Sequence, residues 1–545
     1  VSPSPAGFKA TPIIDLGTAI TPEIAAREIA LRRGARGYIE KSVIEQAEGL
    51  GRDDDPSRDY AKIKAGLDAS GKGKIEDLSD KDFVTIDPPG AGDLDDAFYV
   101  EKDADGGYTW YLATADVAHY VHPGSPAFKA AAKIGNTFYS IDKDGVPEYP
   151  MNHPVVSKNL ASLLSGKDSL AMISRMKFDA NGKFIVDSSE VFLAKVHVKG
   201  RYTYPQVADL WNGTNDHGIE QVEQVQLARE LSRKLAREDV DRGMMRLTLG
   251  ELEHHKRDGQ WVSEVEKEDP VLRQSHELIE ELKVYGNRAI AVLLDEISDQ
   301  TGVPHISRVH PEQNEGVTAR LKRDLTSIGA PWEDDVMLSQ YLKSVQESKT
   351  LGAKAATIAQ TLVRNTRQAA KYTTSDTEGH EGLALKAGGY DHPSAPIRRF
   401  SDMYNRGLLE TWLEGGDVKA YYAAVLKDLT DMGFEGLDDY LTHLNGRQQA
   451  AKQMGYEVDA FMSVYELARP ENAGRAFKGY VSEVRGGKFA SATIVLEGSA
   501  AVVVIEGPDA LNYHLLDSVE VTVKGADLVS RKVDFTVRKP AAAAN

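Results

Sequence analysis

The chain has 545 residues, no cysteine, and 83 acidic against 65 basic side chains, giving a formal net charge of −18 at pH 7. That length exceeds one ordinary core and predicts several folding units, while the lack of cysteine excludes disulfide frameworks and thiolate metal sites. The acidic balance argues against broad nonspecific binding to nucleic acid, so any site for that partner has to be a local basic groove.

Hydrophobic residues make up 41% and charged residues 27% of the chain, an ordinary balance for a packed globular protein. No apolar run approaches the ~20 residues that span a bilayer, and the opening VSPSPAGF lacks the basic-then-apolar layout of a secretion signal. The expectation is a cytoplasmic protein with no membrane partner.

In chain order, a Pro/Ser-rich lead gives way to TPEIAAREIALRRGARGYIEKSVIEQAEGL, whose apolar spacing and Thr21-Pro22 opening predict helix. Residues 1–78 are therefore read as a short helical N-terminal region. From about 80, FVTID and then AFYVEKDADGGYTWYLATADVAHYV alternate like strands, broken by the hairpin chemistry of DADGG. This predicts a sheet. Between roughly 218 and 470 the apolar spacing turns helical, as in LRQSHELIEELKVYGNRAIAVLLDEI. After ELARPENAG come short strands, GYVSEV, ASATIVL, AVVVIEG, SVEVTVKGADL and DFTVR, with the size and rhythm of a small five-stranded barrel of the OB type. The fold class is thus α/β (α+β) through the centre, followed by an all-β unit.

TIDPPGAGDLDDAF crowds Asp87, Asp93, Asp95 and Asp96 between two apolar runs. Carboxylates this close raise one another's pKa unless a cation neutralises them. Oxygen-only donors suit magnesium, manganese or calcium. The calcium loop of EF-hands fails on spacing, since the third, fifth and twelfth places from Asp87 are Pro89, Ala91 and Phe98. Beyond the turn allowed by Gly90 and Gly92, Asp93 and Asp95 share one side of an extended backbone and Asp96 takes the other. A solvated acidic loop is the plainer reading, but it would not need the flanking strands FVTI and AFYV. Carboxylates on a rigid element fit metal-assisted hydrolysis of a phosphodiester.

These residues resemble the TID then DxDD signature of the ribonuclease II and ribonuclease R (RNB) exoribonucleases. LATADVAHYVHPGS, YPMNHPVVSKNLASLL, YTYPQVADL, ELIEELKVYGNRAIA, ISRVHP and YDHPSAPIRRFSD resemble further blocks of that family, in its order, over about 80–470. The resemblance implies an RNB catalytic domain at 79–472 and an S-one-type OB domain at 473–540 that binds single-stranded RNA. It also implies two upstream cold-shock domains, for which residues 1–78 leave no room.

Residue by residue, the resemblance implies that Asp87 and Asp96 ligate magnesium, with manganese as the substitute ion, that Asp93 helps to hold the site, and that Asp95 is tied most closely to the chemical step. Arg398 would meet the scissile phosphate with Arg399 beside it, as a planar fork of donors suits phosphate oxygens; on pattern alone an ordinary ion-pair partner is the lesser alternative. Tyr139 matches an aromatic that stacks on a base near the 3′ end, although a tyrosine in a strand is otherwise a core residue. His392 is placed among the RNA contacts, and neither it nor His119 or His310 is assigned to the chemical step. Two positions depart from the family: a second aromatic clamp aligns near Leu321, and a late glutamate aligns with Gly455, leaving Glu457 as the substitute.

The expected function is 3′-to-5′ hydrolysis of single-stranded RNA to nucleoside 5′-monophosphates by a monomer. The alternatives are a catalytically impaired RNA-binding protein on the same scaffold and a nuclease acting on DNA, from which contacts to the ribose 2′-OH would distinguish RNA.

Overall fold

The structure is a computed structural model, and it describes residues 2–4, 7–9, 20–35, 39–71, 73–139, 149–215, 217–250, 252–265, 269–375 and 377–539. A short antiparallel pair, β1 (Ser2–Ser4) and β2 (Gly7–Lys9), precedes three helices: α1 (Pro22–Arg32), α2 (Lys41–Asp53) and α3 (Pro56–Ser70). The predicted N-terminal helix is thus real but divided, because the chain turns at Gly34, whose φ of +84° favours a residue without Cβ. Thr21 caps α1 and Pro22 occupies its first turn, as the sequence predicts.

The next strands form a closed barrel: β3 (Ile75–Asp87), β4 (Asp96–Lys102), β5 (Tyr108–Ala115), β6 (Asp168–Phe178) and β7 (Glu190–Thr203). Between β5 and β6 lies α4 (Pro126–Ile134). Successive strands pair antiparallel, and β7 returns parallel to β3 to close the ring. The sequence predicts a sheet here; closure comes from that parallel pairing of two long strands far apart in the chain, which alternation cannot reveal. Both faces are buried. Val84, Ile86, Phe98, Val100, Trp110 and Leu112 pack in one cluster, while the intervening Phe83, Ala97, Tyr111 and Ala113 pack in another.

The helical stretch follows: α5 (Tyr204–Trp211), α6 (Val222–Arg242), α7 (Pro270–Thr301), α8 (Glu315–Ser327), α9 (Leu338–Glu347), α10 (Ala353–Thr366), α11 (Phe400–Leu413), α12 (Val418–Asp431) and α13 (Leu437–Leu467). A hairpin, β8 (Leu252–Arg257) and β9 (Gln260–Val265), interrupts it, as does the short pair β10 (Ser307–Val309) and β11 (Lys371–Thr373). The hairpin turns at Asp258 and Gly259, with φ of +52° and +77°. That Asp-Gly pair was a local hairpin signal in the sequence that the helical reading passed over.

All five C-terminal strands occur: β12 (Ala476–Arg485), β13 (Ser491–Leu496), β14 (Val502–Glu506), β15 (Ser518–Asp527) and β16 (Lys532–Arg538). Their antiparallel order is β14-β13-β12-β15-β16, a sheet in which β14 and β16 remain the edges. The expected barrel is therefore not closed by a ladder between those edges among the described residues.

Helix α1 ties distant parts together. Ala25, Ala26 and Ile29 pack with Trp261 of β9 and with Met454, Val458 and Phe461 of α13. Around this apolar contact, Arg32 and Arg33 both pair with Glu457 of α13, Glu28 pairs with Arg531, and Glu23 accepts from Lys256 Nζ (2.8 Å) and Trp261 Nε1 (2.7 Å).

Helix α7 is seated on the barrel at Gly286, where a Cβ would lie 2.3 Å from Cδ2 of the fully buried Leu112. Gly286→Ala should therefore destabilise the fold by roughly 1–2 kcal/mol, the overpacking penalty exceeding the ~1 kcal/mol gain in helix propensity. Urea denaturation measures it; a stabilised variant would refute the close seating.

Candidate functional site

The acidic loop spans one end of the barrel. Asp87 is the last residue of β3 and pairs in register with Thr203, while Asp96 is the first residue of β4, opposite Thr114 of β5. Asp93 and Asp95 stand in the connection between. The turn is held from beneath: Leu94 N donates to Ser162 Oγ (3.0 Å), Leu163 N to the Leu94 carbonyl (3.0 Å), and Ala115 N to the Asp95 carbonyl (2.8 Å). The sequence places the four acids on a supported turn between strands, and the structure does the same.

A second loop, from YDHPSAPIRRFSD, meets the first. Ile397 N donates to Asp95 Oδ1 (3.0 Å), and Arg398 Nε lies 3.1 Å from Asp95 Oδ2. The loop is pinned by Asn152 Nδ2 donating to the Ile397 carbonyl (2.8 Å), Thr137 N donating to the Arg398 carbonyl (2.9 Å), and Ala395 N donating to Asp402 Oδ2 (2.8 Å). Asp402, fully buried in the first turn of α11, also takes Arg399 Nη2 at 2.6 Å. Of the two arginines, Arg398 therefore faces the acids and Arg399 is occupied with Asp402.

Tyr139 Oη donates to Asp93 Oδ2 (2.5 Å), while the residue keeps 39% of its surface exposed. Its phenol joins the acidic site and its ring remains open to a ligand. Asp96, on the other side of the extended backbone, accepts from Lys283 Nζ of α7 at 2.6 Å. Lys283 was not picked out from the sequence. Its signal was a lone cation in ELIEELKVYGN, between Leu282 and Val284, both of which the helix buries. Tyr204 was missed too: the capping box of Thr203 and Gln206 starts α5 at the end of β7 and sets Tyr204 beside Asp96 and Asp87, whose charges add to burial in raising its pKa.

Burial dominates the electrostatics. It lifts the Asp87 carboxyl to about 7, with Asp96 and Asp95 adding to the rise and Lys283 and Arg201 opposing it. Burial lifts Asp95 likewise to about 7, against the pull of Arg398 and Lys283. Burial disfavours the Arg398 charge as well, but Asp95, Tyr139 and Asp93 outweigh it and hold the guanidinium protonated.

Does this donor set suit a hard cation? Asp87 Oδ2 is buried with no hydrogen-bond partner, the chemistry that an oxygen-seeking ion relieves, whereas Asp95 Oδ2 already faces the guanidinium of Arg398. Among the described residues, however, no three carboxylates or imidazoles converge on one point as a ligand group. Asp95 and Asp96 are turned onto Arg398 and Lys283 instead. The chemistry fits an ion, with part of the set already neutralised by side chains.

The remaining candidates lie apart from the acids. His392 is packed against Tyr372 and Tyr390 and shares a 3.0 Å hydrogen bond with Tyr372 Oη; burial keeps it neutral, its pKa well below the usual value. Leu321 is buried with Leu325, Tyr341 and Ile358 in the core of α8 to α10, so no clamp stands there. Gly455 faces open space on α13, and Glu457 is committed to Arg32 and Arg33. A groove of about 950 Å³ adjoins these positions, with Arg308, Arg364, Arg367, Lys371 and Lys452 in its lining and Tyr456 58% exposed at its side. Arg308 stacks over Tyr372, which joins the groove to His392 and so to the loop of Arg398. Of the groove's cations, Arg367 is paired with Glu381 and Lys371 with Glu378.

A family model described as the RNB domain matches residues 75–415. The ribonuclease R of Thermotoga maritima is 29% identical over 424 residues, covering 75% of this chain and 55% of that protein. Among solved structures, Mycoplasma genitalium RNase R in complex with ribose methylated single-stranded RNA superposes with a TM-score of 0.78 at 19% identity, over 95% of this chain and 78% of that one. Yeast Ssd1, described as a pseudonuclease, gives a TM-score of 0.57 at 13% identity, over 83% and 53%. The chain spans only about half the length of the ribonuclease R protein cited, and these structures speak for the fold.

The raised Asp95 carboxyl has a measurable consequence. Between its ordinary 3.8 and about 7 the folded protein binds a proton that the unfolded chain has released, so this contribution to stability is lost as pH rises across that window. In buffer free of divalent ions, the stability of Asp95→Asn relative to wild type should increase from pH 4 to pH 7, read by thermal denaturation at each pH. A constant difference would mean that Asp95 is not held protonated.

Proposed function

The chain belongs to the RNB domain family, and from that premise we propose that it is a 3′-to-5′ exoribonuclease releasing nucleoside 5′-monophosphates from single-stranded RNA. The observation that carries the reading is the gathering of four aspartates at one barrel end, with Arg398 paired to Asp95 and a buried oxygen of Asp87 left without a hydrogen bond. In this reading residues 79–472 are the catalytic domain, residues 1–78 an added helical region, and 473–540 an OB domain. The strand order of the C-terminal sheet supports a partly open barrel of that kind. Its exposed Phe489, beside Lys488, offers a stacking face for bases.

Asp87, Asp93, Asp95 and Asp96 would hold magnesium, or manganese in its place, which supplies a Lewis acid and an activated water for attack on phosphorus. The chain's own residues do the rest. The 3′ end enters along the basic groove, its phosphates facing Arg308, Arg364 and Lys371, and the open ring of Tyr139 stacks on a base. Asp95, fixed by Ile397 N–H, accepts a hydrogen bond from the attacking water and orients it. Arg398, held protonated, faces the charge that develops on the phosphate. Attack in line breaks the bond from phosphorus to the 3′ oxygen of the preceding nucleotide, which departs as a hydroxyl, while the released nucleotide keeps the 5′-phosphate.

The second reading is an RNA-binding protein without turnover. It is favoured by the two departures from the family: Leu321 is buried in a core, and Gly455 has no free acid beside it, since Glu457 is committed to α1.

End-labelled single-stranded RNA, the same sequence as DNA, and a duplex decide between them. Wild type with magnesium should shorten the RNA from its 3′ end, and chelation should stop it. Asp95→Asn and Arg398→Ala should each lower the rate by about 10²–10³-fold while retaining RNA affinity. Intact RNA in the presence of magnesium would leave only the binding reading, and equal digestion of DNA would remove RNA as the specific substrate.

A further inference from the structure

The acidic turn already carries a cation of its own. Lys283 Nζ stands 2.6 Å from Asp96 Oδ1, and its charge also acts on Asp87 and Asp95. It reaches the barrel end from α7, where Leu282, Val284 and Tyr285 are buried on either side of it. The same stretch lies directly against the barrel, Gly286 facing Leu112 with no room for a Cβ. Only 24% of the lysine side chain is exposed. The ammonium is therefore held at the site by a packed helix, unlike a surface lysine on a free stem. Asp96 is turned onto it and Asp95 onto Arg398, while the buried Asp87 Oδ2 is left without a hydrogen bond and open to an incoming ion.

We propose that Lys283 takes one of the two cation places of a two-metal phosphodiester centre, so that this site loads a single divalent ion and uses the lysine as its second positive charge. The inference rests on the hydrolase reading above. An ammonium has no coordination position to offer water, so Lys283 is a positioning residue. It fixes Asp96 and offsets the repulsion among the acids, and it raises the cost of admitting a further dication beside it.

The test counts ions on the whole chain by electron paramagnetic resonance during titration with manganese. Wild type and Lys283→Arg should bind one ion. Lys283→Met, which keeps the length without the charge, and Lys283→Gln should bind two, or one about tenfold more tightly. Two ions on wild type would overturn the proposal, as would neutral variants equal to wild type in number and affinity, or neutral variants that bind none. Should both neutral variants fail to fold, the count on wild type still decides. RNA hydrolysis measured in parallel separates this from the broader reading. Active wild type with unchanged counts sinks only the role of Lys283, whereas a gained ion without any RNA hydrolysis sinks only the exoribonuclease.

Discussion

Everything at the barrel end answers to one constraint: carboxylates taken out of water beside one another must find positive charge. Two unit charges 4 Å apart interact by about 4 kcal/mol at an effective dielectric of 20, and burial together with acidic neighbours pushes Asp87 and Asp95 up to about 7. The fold supplies Arg398 from the loop before α11 and Lys283 from α7. Both carriers are anchored far more firmly than their own ion pairs require. The Arg398 loop is tied by Asn152, Thr137 and Asp402, and the lysine by the packing of Gly286 on Leu112. The barrel, the pinned loop and the seated helix together hold an arrangement that any one of them alone would let fly apart.

The same balance separates two electrostatic regions. The acids occupy the barrel end, while arginines and lysines line the groove beside α10 and α13. A polyanion attracted to the groove would be repelled by the bare acids, and Arg398 stands at the boundary. The aromatic packing of Tyr372, His392 and Tyr390 joins the two regions without adding charge, since burial keeps His392 neutral.

What the sequence reveals follows the distance over which each interaction acts. The aspartate turn is legible because its four acids and both flanking strands lie within one short stretch, and the C-terminal strands because alternation is a local pattern. The closure of β7 onto β3 is not, since no local signal specifies a parallel partner more than a hundred residues away. Lys283 escapes notice for the same reason: its meaning depends on Asp96, which only the fold brings to it. Glu457 shows the reverse error, a plausible acid at a plausible place whose charge is taken by a helix that sequence spacing does not connect to it. The Asp258-Gly259 hairpin was readable locally and was passed over amid strong helical periodicity.

Helix α1 carries a consequence for how the chain reaches this structure. Its Glu28 pairs with Arg531, 503 residues further on, and its apolar face closes against α13. A ribosome makes α1 long before either partner exists. Until then the helix has neither its ion pairs nor a cover for Ala25, Ala26 and Ile29, and an isolated helix of 11 residues is marginal in water. Assembly therefore cannot proceed strictly from one end to the other. The early segment has to wait while the barrel and the helices behind it condense, since its apolar cover comes from β9 and α13 and its last ion pair from Arg531.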